Sequence, residues 1–271
     1  MNKSQETLAD NNFVDENNTD KLEAIIEQPC ADPRDKEPCV VVSPSNVRYT
    51  QTRTIDLDQD HLNRHRVLTR TSEPEVVAAF KLLRTQVLQR LGAKRWNSIG
   101  VVSAHANEGK TLTAINLAVS IARDYNRTAL LADFDLSQPS VHKYLGFEPE
   151  LGLDNYLQGQ CDLADVLVNP GSERLVLLPV KDAIIDASEI LASPAVISLA
   201  EELRQRYSDR VIVYDLPPLL DMDEALAFLP YVDALLIVVE ERHTTAEDLH
   251  YLSHILGDKP VLGTVLNKSR P

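Results

Sequence analysis

Residues 97–125 read NSIGVVSAHANEGKTLTAINLAVSIARDY. A short apolar run at Ile99–Ser103 is followed by a polar loop and then by apolar residues at helical spacing in Thr111–Tyr125. The run is typical of a buried strand, and the spacing after it is typical of a helix. The tripeptide Gly109–Thr111 stands where the helix begins, and a helix N-terminus presents free amide groups and the positive end of the helix dipole. The junction is therefore suited to bind a phosphate group.

The loop between this strand and helix matches the phosphate-binding loop (P-loop) of nucleotide-binding proteins, except that its first glycine is replaced by Ala104. Asn107 stands where glycine is common, and asparagine tolerates a left-handed backbone better than most residues. We expect Lys110 to contact the terminal phosphates and the Thr111 hydroxyl to ligate Mg²⁺. The alternative is a helix N-terminus with an incidental Gly-Lys-Thr. The predicted nucleotide-binding residues of the loop are Ala106, Asn107, Glu108, Gly109, Lys110, Thr111 and Leu112.

Two further apolar runs end in aspartate. Asp133 and Asp135 follow the predicted strand Arg127–Ala132, and Asp215 follows the predicted strand Val211–Tyr214. Carboxylates placed directly after buried strands are costly unless they have a partner, although each alone is also compatible with an ordinary turn. Since the carboxyl ends of parallel strands meet at one edge of a sheet, we expect these acids beside the P-loop. Together the three elements favour a site for Mg-ATP.

Apolar strands alternate with helices from residue 72 to the end of the sequence. This alternation predicts a mostly parallel sheet covered by helices on both faces, which is a doubly wound α/β fold. The predicted strands are Ile99–Ser103, Arg127–Ala132, Leu175–Pro179, Val211–Tyr214, Ala234–Val239 and Val261–Asn267. The predicted helices are one that follows the cap at Ser72 and runs to about Leu91, and Thr111–Tyr125, Val141–Leu145, Gly152–Gln158, Leu163–Leu167, Glu189–Tyr207 with a break near Pro194, Asp223–Leu229 and Thr245–Leu256.

The first 71 residues differ from the rest in being acidic, polar and poor in long apolar runs. Such a segment buries too little surface to offset its ordering entropy, so we predict a mostly disordered segment 1–71 and a P-loop domain 72–271. The basic run Asn63–Thr71 is interpreted as a solvated linker. The domain is expected to begin with a capping box at Ser72–Glu75, and its first helix is expected to stop at Gly92.

Composition restricts the classes of partner. A net charge of −14 argues against a nucleic-acid ligand, which requires a basic face. The three cysteines lack metal-ligand spacing, and no run reaches the roughly 18 apolar residues of a membrane span. We therefore expect a cytoplasmic protein whose membrane role, if it has one, comes through a partner.

The set of motifs resembles the bacterial tyrosine kinases of capsule and exopolysaccharide synthesis, a branch of the MinD/ParA-like P-loop proteins. The resemblance runs from about Glu75 to the end of the chain. The matching motifs are Walker A at Glu108–Thr111, Walker A′ at Asp133 and Asp135, Walker B with its Asp-x-Pro-Pro at Asp215–Pro218, a Glu-Leu-Leu-x-Ser-like block at Glu189–Ser193, and Gly-x-Val-Leu-Asn at Gly263–Asn267.

The resemblance implies a role for each acid. It makes Asp133 and Asp135 acids that bind the metal and activate the nucleophile, with Lys110 as the third catalytic residue. It assigns the metal to Thr111, Asp133 and Asp215, and it places Asn267 against adenine. It also implies a tyrosine kinase that regulates polysaccharide export, activated by a membrane-bound chain-length adaptor at the inner face of the plasma membrane.

Three departures from the family pattern keep an alternative open. The sequence ends at Lys268–Pro271 without the family's tyrosine cluster, and its last tyrosine is Tyr251. The arginine that follows the family's Asp-x-Asp-Leu is Ser137 here. The helix motif Glu-x-x-Arg-x-x-Arg that builds a ring of subunits reads Ala78, Lys81 and Arg84. A homo-oligomer therefore stays possible rather than expected, and the alternative function is a non-kinase ATPase switch or scaffold.

Polar residues near these motifs have ordinary interpretations. His105 in the loop is expected to be a spacer or a hydrogen-bond donor. Asp221, Asp223 and Glu224 follow Walker B, and at least two of them are expected to cap the next helix rather than to extend the acidic cluster.

Overall fold

The computed structural model describes residues 52–206 and 210–269. They form an eight-stranded sheet with the order β1-β4-β5-β3-β6-β2-β7-β8. All neighbouring strands are parallel except β4 and β5, which run antiparallel. The strands are β1 (Arg53–Thr54), β2 (Ser98–Ser103), β3 (Thr128–Asp133), β4 (Val168–Asn169), β5 (Leu175–Leu178), β6 (Arg210–Asp215), β7 (Ala234–Glu240) and β8 (Val261–Asn267).

Helices cover both faces of this sheet. The helices are α1 (Gln59–Arg64), α2 (Pro74–Lys94), α3 (Lys110–Ala122), α4 (Val141–Leu145), α5 (Leu153–Leu157), α6 (Leu163–Val166), α7 (Ala187–Leu191), α8 (Pro194–Arg206), α9 (Glu224–Phe228) and α10 (Ala246–Leu256), with a 3-10 turn at Leu229–Tyr231. No described helix combines the length and the apolar character needed to cross a bilayer.

Successive strand residues supply two separate apolar cores, one on each face of the sheet. In β3, Leu130 and Ala132 join the core that includes α8 and α9, whereas Ala129 and Leu131 join the core that includes α3. This alternation follows from the period of two in a strand, and burial on both faces explains why the central strands are continuously apolar. The predicted doubly wound, mostly parallel α/β fold is confirmed.

The predicted strands and helices from residue 97 onward are present, with ends shifted by a few residues. The helix predicted at Glu189–Tyr207 is two helices, since α7 ends at Leu191 and α8 begins at Pro194, as the break near Pro194 predicted. Tyr207 itself lies outside the described residues. The short antiparallel strand β4 was not predicted, because two residues carry no periodic signal.

The folded domain begins before the predicted boundary at residue 72. Strand β1 pairs in parallel with β4. Leu62 and Val67 are buried in the core on the α3 side, and Leu68 is buried as well. The backbone N–H of Leu68 donates to Asn116 Oδ1 at 2.8 Å. The interpretation of 63–71 as a solvated linker is therefore wrong, since this run contributes core side chains. The part of the predicted disordered segment before residue 52 lies outside the described residues.

Both predicted ends of the first long helix were wrong. The helix begins at Pro74, so Glu73 is the N-cap residue and makes no side-chain cap bond, while Ser72 Oγ accepts from the Thr69 amide at 2.8 Å. Pro74 at the first helical position shifts the cap by one residue and removes Ser72 from it. The helix runs through Gly92 to Lys94, and Arg95 ends it in a left-handed backbone conformation.

Candidate nucleotide-binding site

The loop from Ala104 to Gly109 connects β2 to α3 and has the backbone that the sequence predicts. Asn107 takes a left-handed conformation with φ of 65°, and Gly109 has φ of 95° immediately before the first helical residue, Lys110. Ala104 does not have a positive φ and is fully buried. Alanine therefore fits the position where the P-loop pattern has its first glycine.

Glu108 holds the loop in shape through its own side chain. Its Oε2 accepts hydrogen bonds from the amides of Ala104 at 2.9 Å and His105 at 3.1 Å. Its Oε1 accepts from Thr244 Oγ1 at 2.5 Å, and the carboxylate is fully buried. Glu108 was predicted only as part of the nucleotide-binding loop, and this bracing role was missed because Thr244 is far away in sequence.

The end of β8 closes over the same loop. Asn267 Nδ2 donates to the carbonyl of Glu108 at 2.8 Å, and Lys268 Nζ donates to the carbonyl of Asn107 at 2.8 Å. The structure thus places Asn267 beside the P-loop, while its contact with adenine stays a prediction. Leu112, also predicted at the site, packs its side chain against the core on the α3 side.

His105 and Asp221 form a second brace that the sequence did not reveal. Asp221 Oδ1 lies 2.8 Å from His105 Nδ1, and Asp221 Oδ2 accepts from the amide of Ala106 at 2.7 Å. The hydrogen bond to Asp221 raises the pKa of His105, with a smaller contribution from Asp248. Asp221 therefore braces the loop rather than the next helix. Ala106, one of the predicted nucleotide-binding residues, thus donates its backbone amide to Asp221.

Asp223 and Glu224, the two acids that follow Asp221, have different positions and contacts at the start of α9. Asp223 is the N-cap residue of α9 but makes no side-chain cap bond. Glu224 Oε2 accepts from Ser137 Oγ at 3.1 Å, so Glu224 reaches toward the loop that follows Asp135. Two of the three acids thus lie at the start of α9, Asp223 at the cap position and Glu224 in the first turn, but Asp223 makes no side-chain cap bond.

Lys110 lies among the predicted acids. Its Nζ is 2.5 Å from Asp135 Oδ2 and 3.8 Å from Asp215 Oδ1, and the residue is only 6% exposed. Burial acts to lower the pKa of Lys110, but the carboxylates of Asp215 and Asp135 outweigh it and raise the pKa above its usual value. The lysine is therefore a buried cation held in place by carboxylates.

Asp133 is fixed by backbone amides at the start of α4. Its Oδ2 accepts from the amides of Ser140 and Val141, both at 3.1 Å, and its Oδ1 accepts from the amide of Asp135 at 3.3 Å. Burial and the negative charge of Asp215 raise its pKa to about 8. In the nucleotide-free state this carboxyl group is therefore mostly neutral near pH 7, and a bound cation would favour its ionised form.

Thr111 meets the same segment from the other side. Ser140 Oγ lies 3.2 Å from Thr111 Oγ1, so the hydroxyl predicted to ligate Mg²⁺ faces the loop after β3. Asp133 and Asp215 are directly paired in the register of β3 and β6. The structure therefore brings the predicted lysine, threonine and three aspartates to one edge of the sheet.

Asp215 is paired only at long range, with Lys110 Nζ 3.8 Å from its Oδ1, among the described residues of this cluster. The residue is fully buried, and within the described parts of the chain neither carboxylate oxygen has a hydrogen-bond partner. Burial raises its pKa to about 6, against the opposing charge of Lys110. A buried carboxylate without a hydrogen bond is costly, and a magnesium ion or its ordered water would satisfy it.

The donor set fits magnesium bound together with a nucleotide. Among the described residues, no group of three or more His, Cys, Asp or Glu side chains is arranged to hold a metal alone. Magnesium is commonly held by one or two protein oxygens together with substrate phosphates and water, rather than by a complete protein cage. Thr111, Asp133 and Asp215 are the described residues that would hold it.

Two known proteins match about two thirds of the chain in sequence. The succinoglycan biosynthesis transport protein ExoP of Rhizobium meliloti is 32% identical over 186 residues, which cover 67% of this chain but 23% of ExoP. The tyrosine-protein kinase YwqD of Bacillus subtilis is 26% identical over 190 residues, covering 69% of this chain and 79% of YwqD. The chain thus spans about a quarter of the length of ExoP. No protein-family model matches the chain.

A solved structure shares both the fold and part of the sequence. The VpsO kinase domain superposes with a TM-score of 0.65 at 27% identity, covering 72% of this chain and 96% of that domain. The fold and the site geometry together define a P-loop NTPase domain. Within that class, the chain is related to proteins named as bacterial tyrosine kinases.

Proposed function

We propose that this chain is an ATP-dependent protein tyrosine kinase that regulates exopolysaccharide or capsule synthesis and export. The observation that carries the proposal is the buried cluster in which Lys110 lies between Asp135 and Asp215, with both oxygens of Asp215 lacking a hydrogen bond among the described residues. A relative named as a tyrosine-protein kinase and another named for succinoglycan biosynthesis support the reaction and the pathway.

The residues of the site have different roles in the proposed phosphoryl transfer. The amides at the start of α3 and the ammonium of Lys110 would hold the phosphates, since the first amides of a helix have no intrahelical acceptor. Bound magnesium would supply charge neutralisation at the transferred phosphoryl group. We assign Asp133 to accept the proton of the attacking tyrosine hydroxyl, a role that requires the ionised carboxylate that bound magnesium would favour.

Asp135 positions Lys110 in this proposal and, unlike Asp133, does not accept the proton. It holds Lys110 Nζ at 2.5 Å through Oδ2, and its Oδ1 accepts from the amide of Gln138 at 3.1 Å. The carboxylate therefore links the P-loop to the segment after β3. We assign it to keep Lys110 oriented toward the position of the phosphates.

The test of this proposal is phosphotyrosine formation after incubation with Mg-ATP. The proposal expects Lys110→Met and Asp133→Asn to abolish it, and Asp182→Asn, a change at an exposed loop residue, to leave it intact. Equal phosphotyrosine in the wild type and in both site variants would reject the assignment. The partner we propose is a membrane-bound chain-length or export adaptor that recruits the chain to the inner face of the plasma membrane.

One observation favours the ATPase switch as a second candidate. Arg84, the retained arginine of the ring-forming motif, donates from Nη1 to the carbonyl of Ser120 at 3.0 Å within its own domain. The motif's other positions are Ala78 and Lys81, and lysine lacks the bidentate fork of arginine. The absence of a second lysine near Ser103–His105 counts against this candidate. A chain that stays monomeric with and without ATP would reject it.

A further inference from the structure

A cavity of about 770 Å³ lies at the end of the sheet opposite the P-loop. It is lined by residues that precede strands, including Asn97 before β2 and Arg127 before β3, whereas the P-loop follows β2 and Asp133 ends β3. The length of β3 places the two sites about 20 Å apart, at about 3.3 Å per strand residue. The cavity is therefore separate from the proposed ATP site.

Guanidinium groups dominate the charge of this cavity. Arg95, Arg127 and Arg204 line it, and Glu201 is the acid among its lining residues. Arg204 is paired with Asp233 at 2.7 Å, but neither Arg95 nor Arg127 forms an ion pair within residues 52–206 and 210–269. Two guanidinium groups that have no ion pair among the described residues, in a chain of net charge −14, form a local site for an anion.

Trp96 gives the cavity an aromatic wall. It is the only tryptophan of the chain, it is half-buried, and it makes no ring contact with another described aromatic side chain. Leu88 and Leu91 of α2 line the cavity beside it, together with Val211. The accessible part of the half-buried indole, next to apolar side chains, suits a flat ring that stacks on it.

We propose that this cavity binds a nucleoside diphosphate, with the base against Trp96 and the phosphates against Arg95 and Arg127. The cavity volume lies within the range of small-ligand sites, which combine apolar walls with a few converging polar groups. The proposal does not depend on the kinase assignment, because none of these residues belongs to the P-loop site.

The test uses Lys110→Met protein, in which binding at the P-loop is weakened by loss of the lysine, and titrates it with ADP without magnesium. Fluorescence of the single tryptophan and equilibrium dialysis are measured in parallel. We expect a saturable change in fluorescence that coincides with bound ADP. Adding Arg127→Gln should weaken ADP binding about tenfold through loss of a charge-assisted contact. Adding Arg242→Gln, an exposed arginine with 81% of its side chain accessible, should have no effect.

Three results would overturn the proposal. The first is dialysis that shows no bound ADP in the Lys110→Met protein. The second is binding that Arg127→Gln leaves unchanged while circular dichroism shows an intact fold. Should Arg127→Gln not fold, Arg95→Gln at an exposed position replaces it, with the same expected weakening. The third is inorganic pyrophosphate binding as tightly as ADP, which would show that the base is not recognised.

Discussion

Lys110 Nζ lies 2.5 Å from Asp135 Oδ2, so the lysine assigned to the phosphates is held by a carboxylate of the neighbouring strand end. Both side chains are at least nine-tenths buried, which makes their interaction stronger than that of an exposed pair. A nucleotide phosphate entering the loop must share this lysine with Asp135. The contact therefore both orients the lysine and competes with the ligand.

Replacing Asp135 by asparagine should tighten binding of ADP in the absence of magnesium. The substitution removes one negative charge beside the phosphates and releases Lys110, so we expect the affinity to rise about threefold to tenfold. Isothermal titration calorimetry measures the change, with Asp182→Asn at an exposed position as the matched control. Unchanged or weaker affinity in a correctly folded Asp135→Asn protein would contradict the proposed competition.

The two most buried acids predict an unusual dependence of stability on pH. The folded-state pKa values of about 8 for Asp133 and about 6 for Asp215 lie above the ordinary value of 3.8. A raised pKa stabilises the fold fully only below the unfolded pKa, and that contribution is lost as pH rises through the folded pKa. The melting temperature of the nucleotide-free protein should therefore fall from about pH 5 to about pH 8.

Asp215→Asn should make this fall shallower, because asparagine carries no charge at any of these pH values. Differential scanning calorimetry of the wild type, Asp215→Asn and Asp182→Asn gives the comparison. A melting temperature that stays level or rises over this range, or an identical fall in Asp215→Asn, would show that these carboxyl groups are not neutral in the nucleotide-free fold.

Gly109 should not tolerate a side chain. A Cβ atom at this position would lie 2.0 Å from Asn267 Nδ2, and its φ of 95° is strained for any other residue. We expect Gly109→Ala to lower the free energy of unfolding by about 1–3 kcal/mol and to weaken ADP binding. Urea unfolding measures the first effect. The matched control is Gly92→Ala, where a Cβ would have no atom within 4 Å.

The Gly92→Ala control lies inside α2, where alanine is favoured over glycine by about 0.5–1 kcal/mol. It should therefore leave stability unchanged or raise it slightly. A destabilisation of the same size in both glycine variants would indicate a general effect of alanine rather than the close approach of Asn267. A Gly109→Ala protein with wild-type stability would contradict the loop conformation.

Glu108 should be needed for the loop to form, although it lies next to the residues that contact phosphate. Glu108→Ala would leave the amides of Ala104 and His105 and the hydroxyl of Thr244 without their acceptor. We expect a loss of about 2–4 kcal/mol in the free energy of unfolding and weaker ADP binding. Chemical denaturation compares it with Glu173→Ala, at an exposed loop position. A loss no larger than that of Glu173→Ala would rule out the bracing role.

The sequence predicted the residues whose positions follow from strand order. Asp133 and Asp215 each end a buried strand, and Lys110 begins the helix after the loop that follows β2, so parallel strands bring the three together whatever the details of packing. The left-handed backbone at Asn107 and Gly109 was also predictable, because few other residues accept it.

The missed features depend on contacts between distant segments. Nothing near Glu108 in the sequence indicates Thr244, and nothing near His105 indicates Asp221, since both pairs form only when loops from different strands meet. Strand β1 has two residues and no periodicity, so its pairing with β4 could not be predicted. Ser72 satisfied a local capping pattern, but Pro74 fixed the start of the helix elsewhere.

The most direct test of the proposed function follows the terminal phosphate of ATP. Mass spectrometry of the protein after incubation with Mg-ATP, in the presence of a membrane-adaptor fragment, is combined with measurement of the phosphate released. A tyrosine kinase should form phosphotyrosine in the wild type and in Asp182→Asn, and none in Lys110→Met. Phosphate released to water, with no phosphotyrosine in the wild-type protein, would contradict it and favour the ATPase switch.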